Sequence, residues 1–352
     1  CIRDRTSCPV PDRLTDTVEM AHGGGGAMSR RLIRDIFAPA FRNQYLDRDH
    51  DGAIIKLEAD ASCIACSTDT FVVSPLFFPG GNIGDLAVNG TVNDILCCGA
   101  RPRWLSAGFV IEEGFEISKL REIVSTMAEA ARLAEVEIVT GDTKVVERGR
   151  CDGVYINTTG IGIVPPDLNI DPGCMRPGDA VILTGPVAAH GMAVMSQREG
   201  LAFGSEIKSD TASLCDIVAN VLDVSRPRVM RDPTRGGLSS TLNELAEASG
   251  VDISLDEQAI PIDPDVASAC ELLGLDPLYV ANEGLMLIIV DPTEADRALA
   301  AARRSAHGAR AAIIGHVEAT PEGRQSAVWL TLGLGQRRRL EMMSGEQLPR
   351  IC

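Results

Sequence analysis

The sequence predicts an α+β protein of two domains followed by a short tail, and three observations carry that expectation. A chain of 352 residues exceeds what one core usually organises, about 150 residues per domain. Short β-branched apolar runs alternate with stretches whose apolar residues recur every three or four positions, the mixture expected of strands and amphipathic helices. A break rich in Pro, Asp, Asn and Gly, from Pro165-Pro166 to Gly178, separates two such sets.

Taken in order, residues 1–18 are polar, contain Pro9 and Pro11, and read as a loose leader. The first domain is placed at 19–165. It opens with His22-Gly23-Gly24-Gly25-Gly26 and a helical pattern at Met28, Leu32, Ile33, Ile36 and Phe37. Strands are expected at Ala53–Leu57, Ala65–Ser74, Leu105–Ile111, Glu137–Thr140 and Val154–Val164, with helices at Gly84–Cys98 and Ser118–Val136. The second domain is placed at 175–335. Its strands are expected at Ala180–Thr184, Leu285–Val290, Ala311–Val317 and Val328–Leu332. Its helices are expected at Ala188–Glu199, Leu214–Val221, Leu238–Ala248 and Glu294–Arg304. The stretch 336–352, with Gln336-Arg337-Arg338-Arg339 and then Gly345, Pro349 and Cys352, reads as a mobile tail.

A net charge of −16 argues against general nucleic-acid binding, which needs clustered Lys and Arg. It is compatible with a metal–nucleotide site, where carboxylates hold Mg²⁺. No run of about 18 apolar residues and no signal-peptide pattern occurs, so a cytoplasmic protein without membrane spans is expected. Eleven cysteines at irregular spacing fit a reducing compartment better than a disulfide framework. Cys63-x-x-Cys66 and Cys97-Cys98 are read as small buried hydrophobes, a redox pair or half a zinc site being the alternative.

Gly23, Gly24, Gly25 and Gly26 would let backbone approach a phosphate, or act as a hinge; neither a Walker loop nor a dinucleotide fingerprint is present. Asp51, Asp69, Asp94 and Asp142 stand where apolar strands are expected to end, and carboxylates converging from such ends suit Mg²⁺ shared with phosphate, although any one of them alone reads first as a turn former or helix cap. Asp232-Pro233-Thr234-Arg235-Gly236-Gly237 precedes an amphipathic helix. A helix N-terminus with an Arg beside it is an anion site in sequence form; the other reading is a turn with a solvated Arg. Lys144 is a candidate for stabilising a phosphoryl group, or a surface lysine. Glu283, against the apolar strand Leu285–Val290, is a candidate base whose proton affinity burial would raise. His190 is read as a capping or core histidine that could also reach the tail. Cys352 would be a carrier thiol, or an incidental last residue.

In order along 22–352, the motifs are the Gly-rich start, Thr68-Asp69-Thr70, Val92-Asn93-Asp94, Gly141-Asp142-Thr143-Lys144-Val145, His190-Gly191-Met192-Ala193-Val194, Asp232–Leu238 and Pro349-Arg350-Ile351-Cys352. Together they resemble the HypE family of hydrogenase maturation proteins, within the superfamily of aminoimidazole ribonucleotide synthetase, selenophosphate synthetase and thiamine-monophosphate kinase. Only the last motif resembles HypE alone, and the leader departs from the family.

The resemblance implies two domains of the aminoimidazole ribonucleotide synthetase type, the first pairing in a homodimer through a shared barrel and the second an α/β sandwich. It implies ATP and Mg²⁺ held by Asp51, Asp69, Asp94 and Asp232, with Gly23–Gly26, Thr70, Asn93, Gly141, Asp142, Thr143, Thr234, Arg235 and Gly236 around the nucleotide. It also implies that a carbamoyltransferase, HypF, loads a carbamoyl group onto Cys352. ATP then drives its dehydration to a thiocyanate with Lys144 and Glu283 assisting, and a HypC–HypD complex accepts the cyanide for a NiFe hydrogenase. A scaffold whose ATP is structural, and a kinase-like enzyme for a diffusible substrate, are the competing expectations.

Overall fold

The computed structural model describes residues 26–32, 34–35, 53–56, 63–200, 206–343 and 348–352. The leader 1–18, Gly23, Gly24, Gly25 and Asp51 lie outside the described residues. After helix α1 (Ala27–Leu32), the first domain comprises strands β1 (Ala53–Lys56) and β2 (Cys63–Phe71), the hairpin β3 (Phe77–Phe78) and β4 (Gly81–Asn82), helix α2 (Ile83–Cys97), β5 (Arg101–Glu112), helix α3 (Ile117–Leu133), β6 (Glu137–Val146) and β7 (Val154–Val164). Its five-stranded sheet has the order β1-β2-β7-β5-β6. Only β5 and β6 run parallel, because α3 supplies the crossover that a parallel pair requires.

Helix α2 explains how this domain holds together. The Asn82 side chain accepts the Gly84 N–H at 2.8 Å and the Asp85 carboxylate accepts the Asn82 N–H at 2.7 Å, a reciprocal cap that starts the helix. Almost every residue of α2 is buried, so the helix lacks a polar stripe and lies between the sheet and its neighbours. Glycines in β7 permit that approach: a Cβ on Gly160 would stand 2.9 Å from Thr91 Cγ2, and one on Gly162 would collide with Ile95. The hydroxyls of Thr91 and Thr158, 2.6 Å apart, pin helix to strand.

The second domain contains β8 (Ala180–Leu183), helices α4 (Ala189–Glu199) and α5 (Cys215–Val224), β9 (Val229–Arg231), α6 (Gly237–Ser249), β10 (Asp252–Asp256), α7 (Pro264–Leu273), β11 (Leu287–Val290), α8 (Ala295–Ala302), β12 (Ala312–Glu318), β13 (Val328–Thr331) and β14 (Arg337–Leu340). The sheet order is β14-β13-β10-β12-β8-β11-β9. Strands β8 and β11 are buried throughout, which is why they read as uninterrupted apolar runs.

Three expectations change. The strand expected to stop at Thr140 continues to Val146, so Gly141–Lys144 lies within it. Its side chains are exposed, and an edge strand held by backbone bonds needs no apolar alternation to persist. The tail expected from 336 begins with β14, paired antiparallel to β13, so the folded domain extends to Leu340. Residues 348–352 are docked between the two domains rather than loose, bonded to Val72 and Ser74 of the first and to His190 and Arg198 of the second. Strand β10 and helix α7 were not anticipated: β10 carries the buried polar residues Asp252 and Ser254, which broke the apolar run.

Candidate active site

Asp232 closes β9 and is buried, its carboxylate 3.7 Å from the Cys97 thiol of α2. The loop that follows turns on Gly236 and Gly237, both at positive φ (79° and 62°). A Cβ on Gly237 would be 2.7 Å from the Leu278 carbonyl oxygen. Glycine is required there by backbone geometry and by the close approach. The loop delivers Arg235 at the start of the thirteen-residue helix α6, the helix N-terminus expected from the sequence. Asn282 fastens it from the other side, its amide donating to the Pro233 carbonyl at 2.7 Å while its oxygen accepts the Ala188 N–H at 2.7 Å.

Glu283 follows directly and is buried at 4% exposure. Its backbone is held on both sides: its N–H and that of Gly284 donate to the Asp210 carboxylate (3.1–3.3 Å), and its carbonyl accepts from the Asn93 amide at 3.4 Å. Its Oε1 has no hydrogen-bond partner among the described residues. Burial, then the charges of Asp232, Asp210 and Asp69, push the Glu283 carboxyl well above the usual carboxylate range, with Arg235 opposing. Burial pushes Asp210 up to about 6. Cys352 contributes most to holding the Arg235 guanidinium charged; Asp69, Glu283 and Asp94 add to it, against burial. One cation thus feels Cys352, Asp69, Asp94 and Glu283 together.

Asp69 lies inside β2 and Asp94 in the last turns of α2, where it accepts the Ser67 hydroxyl at 2.6 Å. The strand-end placement expected for both is therefore replaced by a strand and the helix packed upon it. Asn93 is buried and its side chain also binds the 212–214 backbone. Thr70 is exposed on β2 and accepts from the Asn157 amide at 3.0 Å. Thr234 caps the turn into α6, its carbonyl accepting the Gly237 N–H. Gly26 starts α1, where a Cβ would collide with the Met343 carbonyl. Among the described residues no three His, Cys, Asp or Glu side chains form a ready-made metal cluster. Cys63 and Cys66 are half-buried in β2; Cys97 and Cys98 are buried at the end of α2.

Residues 348–352 enter this site as an irregular segment held by backbone bonds. The Val72 N–H donates to the Cys352 carbonyl at 3.0 Å and the Ser74 N–H to the Arg350 carbonyl at 3.1 Å, so 350–352 run antiparallel to 72–74 just beyond β2. Arg350 takes a left-handed conformation (φ 52°), costly for a residue with a side chain. Its contacts hold it there. The guanidinium binds Asp152 at 2.6 Å and the Val72 carbonyl at 2.9 Å and lies 5.8 Å from the Tyr155 ring centre, while Arg198 donates to the Arg350 and Ser74 carbonyls. Leu348 and Ile351 are buried, and His190 contacts the Ile351 carbonyl at 2.7 Å. His190 is both a core histidine and a tail contact. The sequence missed Asp152, Ser209 and Asp210, whose positions lie in irregular stretches without periodicity, and Arg198, which lies in the expected helix Ala188–Glu199 but in no motif.

Gly141, Asp142, Thr143 and Lys144 stand elsewhere. Cross-strand register aligns Thr70 with Asn157, Asn157 with Gly108, and Gly108 with Asp142. At strand spacings of about 4.8 Å, Asp142 lies roughly 14 Å from Thr70 across the sheet. Lys144 and Asp142 pair at 2.5 Å with both side chains exposed (68% and 71%), and the lysine holds the Asp142 carboxyl below its ordinary range. Within one chain, the structure therefore gathers Asp69, Asp94, Asp232, Arg235, Glu283 and Cys352 but leaves the Gly141–Lys144 group on an open edge.

A five-stranded α+β domain and a mixed-sheet domain, with acidic groups, an arginine and a helix N-terminus gathered at their junction, define a protein of the AIR synthase related class. The family models for its N-terminal and C-terminal domains match residues 49–164 and 176–326. Among curated proteins, carbamoyl dehydratase HypE of Cupriavidus necator is 51% identical over 95% of each chain, and that of Escherichia coli is 41% identical over 96% of this chain and all of its own. Among solved structures, HypE in complex with ATP has a TM-score of 0.80 at 47% identity, covering 96% of this chain and all of its own. A HypE–HypF complex has a TM-score of 0.82 at 42% identity, covering 89% and 99%. The chain belongs to the HypE family of carbamoyl dehydratases.

Proposed function

We propose that this chain dehydrates a carbamoyl group carried on Cys352 to a thiocyanate, using ATP. The observation that carries this reading is the docking of Cys352 beside Arg235, Asp69, Asp94 and Glu283. A relative is known in complex with ATP and another in complex with HypF; we take ATP as the co-substrate here and HypF as the enzyme that loads Cys352. A HypC–HypD complex is the proposed acceptor of the cyanide destined for a NiFe hydrogenase.

The loaded residue is a thiocarboxamide, S–C(=O)–NH2, whose oxygen is a poor leaving group. Transfer of the γ-phosphoryl of ATP to that oxygen releases ADP, and one N–H proton passes to the Glu283 carboxylate, giving S–C(OPO3)=NH. Cleavage of the C–O bond then expels phosphate, the second N–H proton leaves with it, and S–C≡N remains. Glu283 suits the first proton transfer: it is buried, its backbone is fixed, and among the described residues Oε1 has no partner that would compete for the proton. Arg235 and the N-terminal amides of α6 favour the phosphate charge.

Mg²⁺ would be held by Asp69, Asp94 and Asp232, with Asp51 the fourth expected ligand. Several carboxylates around one guanidinium fit an ion that keeps waters and shares phosphate oxygens. When bound, it would neutralise charge on the transferring phosphoryl.

Lys144 and the Gly141–Thr143 backbone are assigned across a homodimer. Strand β6 is a long exposed edge carrying Val139 (59% exposed) and Val145 (68%), a surface that pairing through a shared barrel would cover. Such pairing brings the β6 of one protomer to the cleft of the other, where Lys144 stabilises the phosphoryl group. Intact mass analysis after incubation with ATP, carbamoyl phosphate and HypF tests the reaction: a carbamoyl adduct should form and then lose one water, both confined to the C-terminal peptide. An adduct on an internal cysteine alone defeats the proposal.

A further inference from the structure

We infer that Ser209 and Asp210 are a positioning pair that registers the tail-borne Cys352 against Glu283; this rests on the dehydration reading above. The two residues are adjacent, yet they hold opposite participants. The Asp210 carboxylate accepts the N–H groups of Glu283 (3.2 Å to Oδ1, 3.3 Å to Oδ2) and Gly284 (3.1 Å). The Ser209 hydroxyl lies 2.8 Å from Nδ1 of His190, whose Nε2 is 2.7 Å from the Ile351 carbonyl, one residue before Cys352. Since the Ile351 oxygen can only accept, Nε2 carries the proton, and Nδ1 accepts from Ser209. An unbroken series of bonds therefore runs from the tail through His190, Ser209 and Asp210 to the backbone of the base.

The loop that carries the pair cannot shift freely. The Ser209 N–H donates to the Pro79 carbonyl at 2.8 Å, and a Cβ on Gly80 (φ +96°) would stand 2.8 Å from Ser209 N. On the other side a Cβ on Gly284 would collide with the Asp210 carbonyl, so the loop seats directly on the turn bearing Glu283. Two and four residues beyond Asp210, Asn93 grips the loop at Ala212 and Leu214 while also binding the Glu283 carbonyl. Proton abstraction needs the base within hydrogen-bond reach, and a misplacement of about 1 Å costs about 100-fold. Neither Ser209 nor Asp210 needs to touch the carbamoyl group to control that distance.

The test uses full-length protein with Cys352 carbamoylated by cyanate, since a thiolate adds to isocyanic acid to give S–C(=O)–NH2, the adduct being localised by peptide mass. Three quantities are read: the single-turnover rate of water loss at saturating ATP, the KM for ATP, and the rate at which iodoacetamide alkylates unmodified Cys352. Asp210→Ala should slow water loss at least about tenfold, with the ATP KM within about twofold and alkylation unchanged, as expected if only the base is misplaced. Asp210→Asn, which keeps the shape and one acceptor, should lie between; it also serves if the alanine variant fails to fold. Ser209→Ala should slow water loss and raise Cys352 alkylation severalfold, and Ser209→Thr should restore both. Wild-type rates in Asp210→Ala, or a loss explained wholly by weakened ATP binding, overturn the inference. A wild-type protein that loses no water sinks the dehydration reading instead, and alkylation of Ser209→Ala then still decides whether this pair holds the tail.

Discussion

The chain end and strand β6 carry the two halves of one proposed reaction, and they are built in opposite ways. Around Cys352, Ile351 and Leu348 are buried, Arg350 is forced into a left-handed conformation, and Glu283 is fixed through its backbone. Along β6, Gly141–Lys144 are exposed, and the ion pair of Lys144 with Asp142 lies in solvent. An exposed pair of this kind contributes little to stability and leaves the lysine available to another partner. On the proposed reading, the buried half of the site is held within one chain and the exposed half is supplied by a partner protomer.

The strongest way to break this comparison is to remove the buried half. Glu283→Gln keeps shape and burial but cannot take a proton, so water loss from carbamoylated Cys352 should fall by more than about 100-fold while ATP binding persists. Retained dehydration would show the base lies elsewhere. A sharper test addresses the exposed half. Lys144→Ala and Cys352→Ala should each be inactive as homodimers, whereas mixed dimers should regain water loss on the Lys144→Ala subunit, which keeps its own Cys352 and borrows its partner's lysine. Mixed dimers as inactive as the parents would place Lys144 in the chain that carries the substrate.

Smaller effects probe the clamp. Arg350→Ala removes the contacts with Asp152, the Val72 carbonyl and Tyr155. Alkylation of Cys352 should rise severalfold and dehydration slow about tenfold, consistent with lost positioning. The melting temperature should move by only a few degrees, because the core is untouched. The smallest effect is one of pH. Burial lowers His190 from 6.5 to about 4, so the folded state binds fewer protons than the unfolded one between these values. Stability is therefore full above about pH 6.5 and declines as pH falls toward 4, by at most about 3 kcal/mol. His190→Asn should flatten that decline in urea titrations at pH 7, 6 and 5; an unchanged slope would assign it to other groups.

Much of this was legible from residue patterns. The run Leu287-Ile288-Ile289-Val290 announced a buried strand, and Asp232–Gly237 announced a helix N-terminus with an arginine beside it, because both signals are local. Helix α2 was expected from the sequence although Gly84, Gly90, Asn89, Asn93 and its β-branched residues are weak helix formers; its reciprocal cap and its packing sustain it. What was hidden depends on neighbours far along the chain. Strand β6 past Thr140 persists through backbone pairing with β5 and carries no apolar alternation. Strand β14 is a basic run that borrows its place from β13. Asp210 and Ser209 sit in a stretch with no period at all, and only the turn at Glu283 gives them meaning. Asp69 and Asp94 were found as motifs, but their meeting needed the helix-on-sheet contact that Gly160 and Gly162 allow.

Strand β14 also sets the length of a leash. It stitches the chain into the second sheet up to Leu340, so only residues 341–352 can pay out if Cys352 leaves its cleft. Fully extended, that segment spans about 40 Å. If Cys352 is the carrier proposed above, any donor or acceptor must bring its own reactive centre within that radius of the sheet edge. Lengthening the segment would dilute the thiol around its home site, and shortening it would keep the thiol from reaching a partner at all.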